Sequence, residues 1–512
     1  MMDMSPTRHD EVERKYDVDP TMVLPNLAEA EGVGLVPPPE EFRLDAVYFD
    51  TAGLDLARRG VTLRRRSGGA DAGWHLKLPV SGDTRTELQV PLGQAEETVP
   101  ASLLTHVRAI VRDRLLGAVA SVSTTRREYV LCGSDGAVLA RVCDDHVRAH
   151  RLVDLSPEQS WREWEVELDG ASPTLLDAVE ARLVAAGASP ARVSSKFART
   201  VGELASALPA PPSKDDLAGG TVGQLFVALL TEQTAKLQLR DAGVRAGQAG
   251  SIHRMRIAAR RLRSALTSFA PMLERAATDP VRAELRWLGE SLGQARDAQV
   301  LREHLTGVLG QEPPELVVGS VAARIDDELS AAYKAGRERA LEALESERYL
   351  RMLDALDDLV GAAPLSPDAD AAAEEGVRRL LRRDVKRLDR EVRAITSAPD
   401  PEARDVAFHE ARKKAKRLRY AAEAATPVVG KRARSLAASA KKVQEALGVR
   451  QDSVVARQRL REYGMQAHLD GDNAFTFGRL HALEQARADR ATADFATAWS
   501  TFHKRQIPRW VG

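Results

Sequence analysis

Strict alternation of charged and apolar residues marks the beginning of the chain. Across residues 10–18, Glu11, Glu13 and Lys15 fall on one side of a predicted strand, and Val12 and Tyr16 fall on the other. The apolar side is the one to be buried, so the charged side faces either water or an enclosed polar space. Taken alone, this segment is typical of an edge strand with its charges in solvent.

The same alternation recurs in later segments and indicates a sheet. The pattern predicts helices over residues 22–31 and 100–116, and it predicts further strands over residues 42–51, 61–66, 74–78, 84–90, 121–131, 138–147 and 161–168. The charged or polar faces of four of these strands hold, in turn, Arg64 and Arg66; His75 and Lys77; Arg85, Glu87 and Gln89; and Glu163, Glu165 and Glu167.

Many strands with one charged and one apolar face, and helices between them, favour an antiparallel barrel with its helices outside. The charged faces would then line the interior. Ionised groups buried without partners cost several kcal/mol each, so such an interior must be a watery tunnel or hold a charged ligand with metal ions. The alternative is an open sheet whose charged face lies in water.

These strands resemble the CYTH domain of the triphosphate tunnel metalloenzyme superfamily over residues 5–205. The resemblance is carried by Glu11-x-Glu13-x-Lys15, Leu63-Arg-Arg-Arg66, Lys77, Arg126-Arg127, Asp144, the Glu163, Glu165 and Glu167 strand, and Lys196. It implies an antiparallel tunnel barrel in which basic side chains hold a triphosphate and carboxylates bind Mg²⁺ or Mn²⁺.

The resemblance also implies a role for each site residue. Phosphate would be bound by Arg64, Arg66, Lys77, Arg85, Arg126 and Lys196. The metal would be held by Glu11, Glu13, Asp144, Glu163, Glu165 and Glu167, and catalysis would involve Glu11, Glu13, Lys15, Asp144, Glu165 and Glu167. The strand register over residues 121–152 stays open, so that either Asp144 or Asp145 is the inward carboxylate.

A Pro- and Gly-rich segment over residues 206–221 breaks both periodicities and predicts a linker, and everything after it is predicted helical. The predicted helices cover residues 222–241, 251–272, 281–293, 297–309, 321–343, 372–395, 401–425, 431–447 and 454–462. A second break falls at residues 361–368, so the helical domain over 222–508 divides into halves of about 222–360 and 372–508.

The helical half contains a repeated motif. Residues 253–264 (HRMRIAARRLRS) recur as residues 409–420 (HEARKKAKRLRY), and each copy is followed by Leu-Gly-x-x-x-Asp, which predicts a turn ending at Asp297 or Asp452. Two copies of one unit imply two similar helical bundles related by a pseudo-twofold axis. Spacings of three and four residues place the cations of each copy on one helical face. One such face is typical of a solvated helix, but its repetition with the histidine indicates an anion site.

This half resembles the CHAD domain, the conserved-histidine α-helical domain. The resemblance implies that polyphosphate binds to a basic surface between two four-helix bundles. The residues expected to bind it are His253, Arg256, Arg260, Arg263, His409, Arg412, Lys413, Lys416 and Arg419. Nucleic acid is the second candidate anion, but aromatic residues for base stacking are not interleaved in these helices, so no nucleic-acid partner is expected.

Composition adds three constraints. The 512 residues carry a formal net charge of zero with 29% charged residues, so affinity for a polyanion depends on local clusters. The two cysteines lack metal-ligand spacing. A signal peptide and an apolar run long enough to span a bilayer are both missing, which predicts a cytoplasmic protein without membrane contact. Association with polyphosphate granules is a further expectation, tied to the polyphosphate-binding role.

Together the two halves predict an α+β antiparallel barrel tunnel followed by an all-α domain of two bundles. The expected function is a Mg²⁺- or Mn²⁺-dependent triphosphatase acting on inorganic triphosphate or polyphosphate chain ends, with an attached polyphosphate-binding domain. One alternative is a non-catalytic polyphosphate binder. Another is a tunnel enzyme that cyclises ATP or hydrolyses thiamine triphosphate, which the lack of an evident aromatic pocket disfavours.

Overall fold

The computed structural model describes residues 6–81, 84–93, 98–154, 156–193, 195–205 and 212–511. The chain forms two compact units, Met1–Ala210 and Pro211–Gly512. The predicted linker falls partly outside the described residues, at 206–211. Its remainder is not all extended chain, because Lys214–Gly219 form a short helix that Ser213 and Asp216 stabilise through a capping box.

The first unit is a closed antiparallel barrel of eight strands with one additional short strand, as the alternating pattern predicts. Its strands are β1 (Thr7–Asp17), β2 (Glu40–Asp50), β3 (Thr62–Ser67), β4 (Gly73–Ser81), β5 (Thr84–Pro91), β6 (Gly117–Cys132), β7 (Val138–Arg151), β8 (Gln159–Leu168) and β9 (Ser189–Pro190). Its helices are α1 (Ala101–Val111), α2 (Thr174–Ala185) and α3 (Lys196–Val201). The strand order is β5-β4-β3-β2-β6-β7-β8-β1-β9, and pairing of β5 with β1 closes the ring.

Strand β1 closes the barrel by dividing its length between two partners. Residues 7–12 pair with β5, and residues 13–17 pair with β8, where Glu13 lies opposite Glu167 and Lys15 opposite Glu165. The apolar outer face packs under α2, with Tyr16, Trp164 and Val166 in one buried cluster with Leu176 and Val179. The opposite parity therefore turns the charged side chains of these strands into the barrel.

Two local predictions in this unit are corrected. Residues 22–31 do not form an α-helix; only a single 3₁₀ turn occurs, at Leu27–Glu29. Pro25 explains this, because it cannot donate a backbone hydrogen bond and restricts the residue before it. Helices α2 and α3 were not predicted, and α3 matters for the site because it begins at Lys196.

The second unit is helical. Its helices are α4 (Lys214–Gly219), α5 (Val222–Arg245), α6 (Ser251–Ser268), α7 (Arg275–Ser291), α8 (Gly293–Leu309), α9 (Val321–Glu345), α10 (Glu347–Gly361), α11 (Ala373–Thr396), α12 (Pro401–Ala424), α13 (Thr426–Val429), α14 (Lys431–Leu469) and α15 (Phe475–Trp510). None of the helices in the described residues is long and apolar enough to cross a bilayer.

The two halves of the helical unit correspond element by element. The first half uses α5, α6, the broken pair α7–α8 and the pair α9–α10, whereas the second uses α11, α12 and the long helices α14 and α15. Helices α10 and α15 were not predicted, and the two segments predicted at 431–447 and 454–462 are one helix. A buried cluster joins the halves, with Leu305 and Ile325 of the first packed against Leu460 and Phe477 of the second.

Candidate functional site

The barrel encloses a polar cavity of about 440 Å³, within the range of small-ligand sites. Most of the residues predicted for the tunnel line this cavity: Glu11, Glu13, Lys15, Arg64, Arg66, Lys77, Arg85, Arg126, Glu165, Glu167 and Lys196. The structure therefore brings residues from six strands and one helix into one space. Alternation along the strands predicted the inward residues of β1, β3, β4, β5 and β8, whereas Arg126 and Lys196 were expected from the family resemblance.

One acidic cluster lies where β1 meets β4 and β5. Lys77 Nζ donates to Glu11 Oε2 at 2.5 Å, and Glu87 accepts from His75 Nδ1 at 3.0 Å. His9 Nε2 lies 2.9 Å from Glu87 and 3.4 Å from Glu11. Burial, and after it the neighbouring Glu87, raise the pKa of Glu11 to about 7 even though Lys77 opposes the shift. Either Glu11 or Glu87 therefore holds a proton, unless a bound cation neutralises the pair.

The second acidic cluster surrounds Lys196, the first residue of α3. Its Nζ lies 2.8 Å from Asp145, 2.8 Å from Glu163 and 2.7 Å from Glu165. Arg126 makes a bidentate pair with Asp145, at 2.8 and 2.6 Å, and also reaches Glu165 at 2.7 Å. Oxygen atoms of the three carboxylates lie within 4.8 Å of one another. This spacing allows one cation to contact all three.

Lys15 links the two predicted carboxylate strands. Its ammonium donates to Glu13 at 3.0 Å and also contacts Glu165. Burial opposes ionisation of Glu13, but Lys15 and then Lys77 outweigh it and lower the pKa of Glu13 to about 2. Glu13 is therefore an anion throughout the physiological pH range.

Arg64, Arg66 and Arg126 add guanidinium groups to the cavity lining, and Arg126 is the one already paired with Asp145 and Glu165. Arg64, Arg66 and Arg126 lie close together, and burial, followed by repulsion from Arg64 and Arg126, lowers the pKa of Arg66 to about 9. The buried Nε atoms of Arg64 and Arg66 make no hydrogen bond within the described part of the chain. Unsatisfied guanidinium donors that face a polar cavity are suited to phosphate oxygens.

The inward carboxylate of β7 is Asp145, not Asp144. Asp145 pairs across the sheet with Arg126 and Glu163, which both point inward, whereas Asp144 pairs with Trp164 on the outer face. Asp144 accepts a bidentate pair from Arg162 at 2.7 and 2.8 Å, outside the barrel. The metal and catalytic roles predicted for Asp144 are therefore wrong, because one residue of register reverses the face.

Sequence reasoning placed Glu87 on the polar face of its strand but gave it no role, and it missed His9 and an apolar strip of the cavity. His9 was detectable, since it lies two residues from Glu11 on the same strand face. The strip is formed by inward residues of β2, among them Phe42, Leu44 and Tyr48. Tyr48 stacks on Phe197 of α3 with ring centroids 4.8 Å apart, a contact that no sequence pattern revealed.

In the helical unit, both copies of the repeated motif contribute to one groove of about 510 Å³. Its predicted lining residues are Arg256, Arg260 and Arg263 of α6 and His409, Arg412, Lys413 and Lys416 of α12. Two predicted residues are placed elsewhere. His253 does not line this groove, and Arg419 turns away to Glu423 at 2.7 Å and Gln444 at 3.1 Å.

The Leu-Gly-x-x-x-Asp element orients one arginine in each copy. Arg256 reaches Asp297 at 2.7 Å, and Arg412 lies 3.9 Å from Asp452. The glycines make room for these guanidinium groups, since a Cβ on Gly293 would lie 3.3 Å from Arg256. The second copy is not a turn as predicted, because it lies inside the continuous helix α14.

The groove holds cations without an ion-pair partner in the described chain, although Glu290 and Asp297 are among its lining residues. Among the described residues, Arg260, Arg263 and Lys416 have no carboxylate within ion-pair distance, although Arg260 Nε donates to Tyr420 Oη at 3.1 Å. Burial, and then repulsion from Arg260 and Arg412, lowers the pKa of Lys416 to about 7. A bound polyanion would relieve this repulsion.

Comparison with known proteins agrees with this architecture. The CYTH domain family model matches residues 9–199, and the CHAD domain model matches residues 228–461. The chain is 40% identical over 511 residues to Uncharacterized protein Rv2226 of Mycobacterium tuberculosis, covering 96% of each protein.

Two solved structures resemble part of the chain. PptA from Streptomyces chartreusis is 23% identical, with a TM-score of 0.47, over 55% of this chain and 100% of that structure. The CHAD domain from the plant Ricinus communis is 24% identical, with a TM-score of 0.40, over 58% of this chain and 93% of that structure.

Proposed function

Because this chain belongs to the family of proteins in which a CYTH domain precedes a CHAD domain, we propose that it is a metal-dependent inorganic triphosphatase or polyphosphatase with an attached polyphosphate-binding domain. The observation that carries the proposal is the mixed charge of the barrel cavity. Carboxylates of β1 and β8 and guanidinium groups of β3 and β6 line one space of about 440 Å³. That arrangement suits a phosphate chain bound together with a cation.

The carboxylates fit a hard divalent metal. Members of the CYTH superfamily use divalent metals and often act on triphosphates. In this chain the donors are carboxylate oxygens from Glu11, Glu13, Asp145, Glu165 and Glu167, the ligand type that Mg²⁺ and Mn²⁺ prefer. Bound there, the ion would supply charge neutralisation of phosphate oxygens and activation of a water molecule.

The residues themselves perform the remaining tasks. Arg64, Arg66 and Arg126 orient the phosphate chain and stabilise negative charge on its oxygens, which is most of what phosphoryl transfer requires. Glu13, held ionised by Lys15, keeps an acceptor available for the attacking water or its cation. Lys196 holds Asp145, Glu163 and Glu165 together, and so keeps them in place before substrate arrives.

Two alternatives each have an observation in their favour. Lys196 lies among the three carboxylates of the second cluster and satisfies them without metal, which favours a non-catalytic polyphosphate binder at granules. The strip containing Phe42 and Tyr48 offers an apolar surface, which favours an organic triphosphate such as ATP or thiamine triphosphate.

The deciding experiment measures phosphate release by the intact protein. Inorganic triphosphate, ATP and thiamine triphosphate are compared at equal concentration, with Mg²⁺, with Mn²⁺ and with excess chelator. We expect release from inorganic triphosphate that depends on metal and exceeds release from the organic substrates. Faster turnover of an organic triphosphate would replace the proposed substrate, and no turnover of any of them would favour the non-catalytic binder.

A further inference from the structure

The two basic motifs of the helical unit differ at the positions where they come together. Aligned from their histidines, the first motif has Ser264 and Thr267 where the second has Tyr420 and Glu423. Both copies lie on equivalent helices, α6 and α12, so the difference is in chemistry and not in backbone position. A carboxylate and an aromatic ring thus occur on one side of the junction only.

Glu423 neutralises one arginine from each motif. Its Oε2 accepts from Arg261 at 2.9 Å, and its Oε1 accepts from Arg419 Nε at 2.7 Å. Arg263, the residue aligned with Arg419, has no carboxylate within ion-pair distance in the described chain and lines the groove. The same arginine is therefore available for an anion in the first motif and engaged in the second.

Tyr420 fixes the guanidinium groups around it. Its ring lies 5.4 Å from the guanidinium carbons of Arg261 and Arg419 and 5.8 Å from that of Arg260. Its hydroxyl accepts a hydrogen bond from Arg260 Nε at 3.1 Å. Tyr420 is 8% exposed, so the ring fills the space between the motifs and does not project as a stacking platform.

We propose that Tyr420 and Glu423 end the anion groove, so that a polyphosphate chain is held among Arg260, Arg263 and Lys416 and does not continue past Tyr420 to Arg419. The inference rests on the proposed polyphosphate binding by this unit. Its physical basis is that a phosphate chain extended beyond Arg260 would meet the Glu423 carboxylate and two arginines already paired with it. Glu423 is then a residue that limits how many phosphates the domain contacts.

The test exchanges this carboxylate between the motifs in the intact protein. Glu423→Gln should free Arg261 and Arg419, and Thr267→Glu should place a carboxylate four residues after Arg263, as Glu423 follows Arg419. Glu374→Gln is the matched control, because Glu374 makes the same type of i,i+4 pair with Arg378 on an exposed face of α11. Calorimetric titration with polyphosphate of defined length, repeated at several salt concentrations, gives affinity and the number of ions released.

In nucleic acids, each phosphate that a protein cation neutralises steepens the slope of log K against log salt by about 0.7 to 0.9. We expect Glu423→Gln to steepen the slope by about 1.5 and to raise affinity about fivefold, and Thr267→Glu to lower affinity by a similar factor. If Glu423→Gln has the same salt slope and affinity as Glu374→Gln, Glu423 does not end the groove, although polyphosphate binding itself is still supported. A native protein that binds no polyphosphate at low salt would instead refute the proposed function and this inference with it.

Discussion

The barrel cavity and the helical groove both concentrate basic side chains, but they balance that charge in opposite ways. In the cavity, Lys15, Arg126 and Lys196 each contact at least one buried carboxylate. In the groove, Arg260, Arg263 and Lys416 face one another with no such partner among the described residues. A site whose cations are already paired with carboxylates gains little free energy from binding an anion alone, whereas a site with unpaired cations gains more. The difference suits the cavity to chemistry with a metal ion and the groove to retention of a polyanion.

The largest effect is expected in the cavity. Glu165→Gln keeps the shape of the side chain but removes the charge that Arg126, Lys15 and Lys196 share. If the proposed function holds, we expect metal-dependent phosphate release to fall by roughly 10²- to 10³-fold, since Glu165 is a proposed metal ligand. Asp177→Asn, on the barrel exterior and paired with Arg14, is the control and should retain full activity. Equal activity of the two variants would remove Glu165 from the site.

The adjacent aspartates of β7 should separate catalysis from stability. Asp145→Asn should abolish turnover, because Asp145 pairs with Arg126 and Lys196 of the cavity lining, and the fold should be retained because both cations keep Glu165 as a partner. Asp144→Asn should instead lower the free energy of unfolding by about 3 kcal/mol, since it leaves the buried guanidinium of Arg162 without its anionic partner. Thermal denaturation and phosphate release of both variants check this. Loss of turnover in a well-folded Asp144→Asn protein would contradict the assigned register.

In the groove, the effect should fall on binding and leave turnover of inorganic triphosphate unchanged. Replacing Arg260 and Arg263 together by Gln removes two cations that have no carboxylate partner, so polyphosphate affinity should fall about 100-fold. The double replacement of Arg378 and Arg379 by Gln is the control, because each pairs with a glutamate on an exposed face of α11. Competition by duplex DNA at equal phosphate concentration should be weak, and strong competition would favour nucleic acid.

The smallest effect concerns pH. Burial and neighbouring arginines lower the pKa of Lys416 to about 7 in the free groove, and a bound polyanion should raise it. Below pH 7 the Lys416 ammonium is already formed. Above pH 7 the lysine must take up a proton on binding, so affinity should fall by up to tenfold per pH unit. Lys416→Met should bind more weakly at pH 6 and lose this dependence above pH 7. An unchanged profile in Lys416→Met would assign the titration to another group.

The histidines contribute differently from what the sequence suggested. Burial, followed by nearby cations, lowers the pKa of both His253 and His409. His409 therefore takes up a proton less readily than a solvent-exposed histidine. At neutral pH His409 is an uncharged groove residue, and its Nδ1 lies 3.3 Å from Gln451 Oε1.

Alternation along the strands determined much of the barrel site from sequence alone. A strand places every second residue on one face, so Glu11, Glu13 and Glu165 could be assigned to the interior without knowing any contact. The repeated motif likewise identified Arg260 and Lys416, because helical spacing places them on one face. These properties are local, and they follow from the period of each element.

Properties that depend on how elements meet were decided only by the tertiary structure. The pairing of β6, β7 and β8 selected Asp145 over Asp144, because register is a relation between strands. Packing of α6 against α12 brought Glu423 to Arg261, 162 residues apart in sequence. A single strand or helix carries no information on its partner's register or on which neighbouring charge it will meet, so these assignments required the fold.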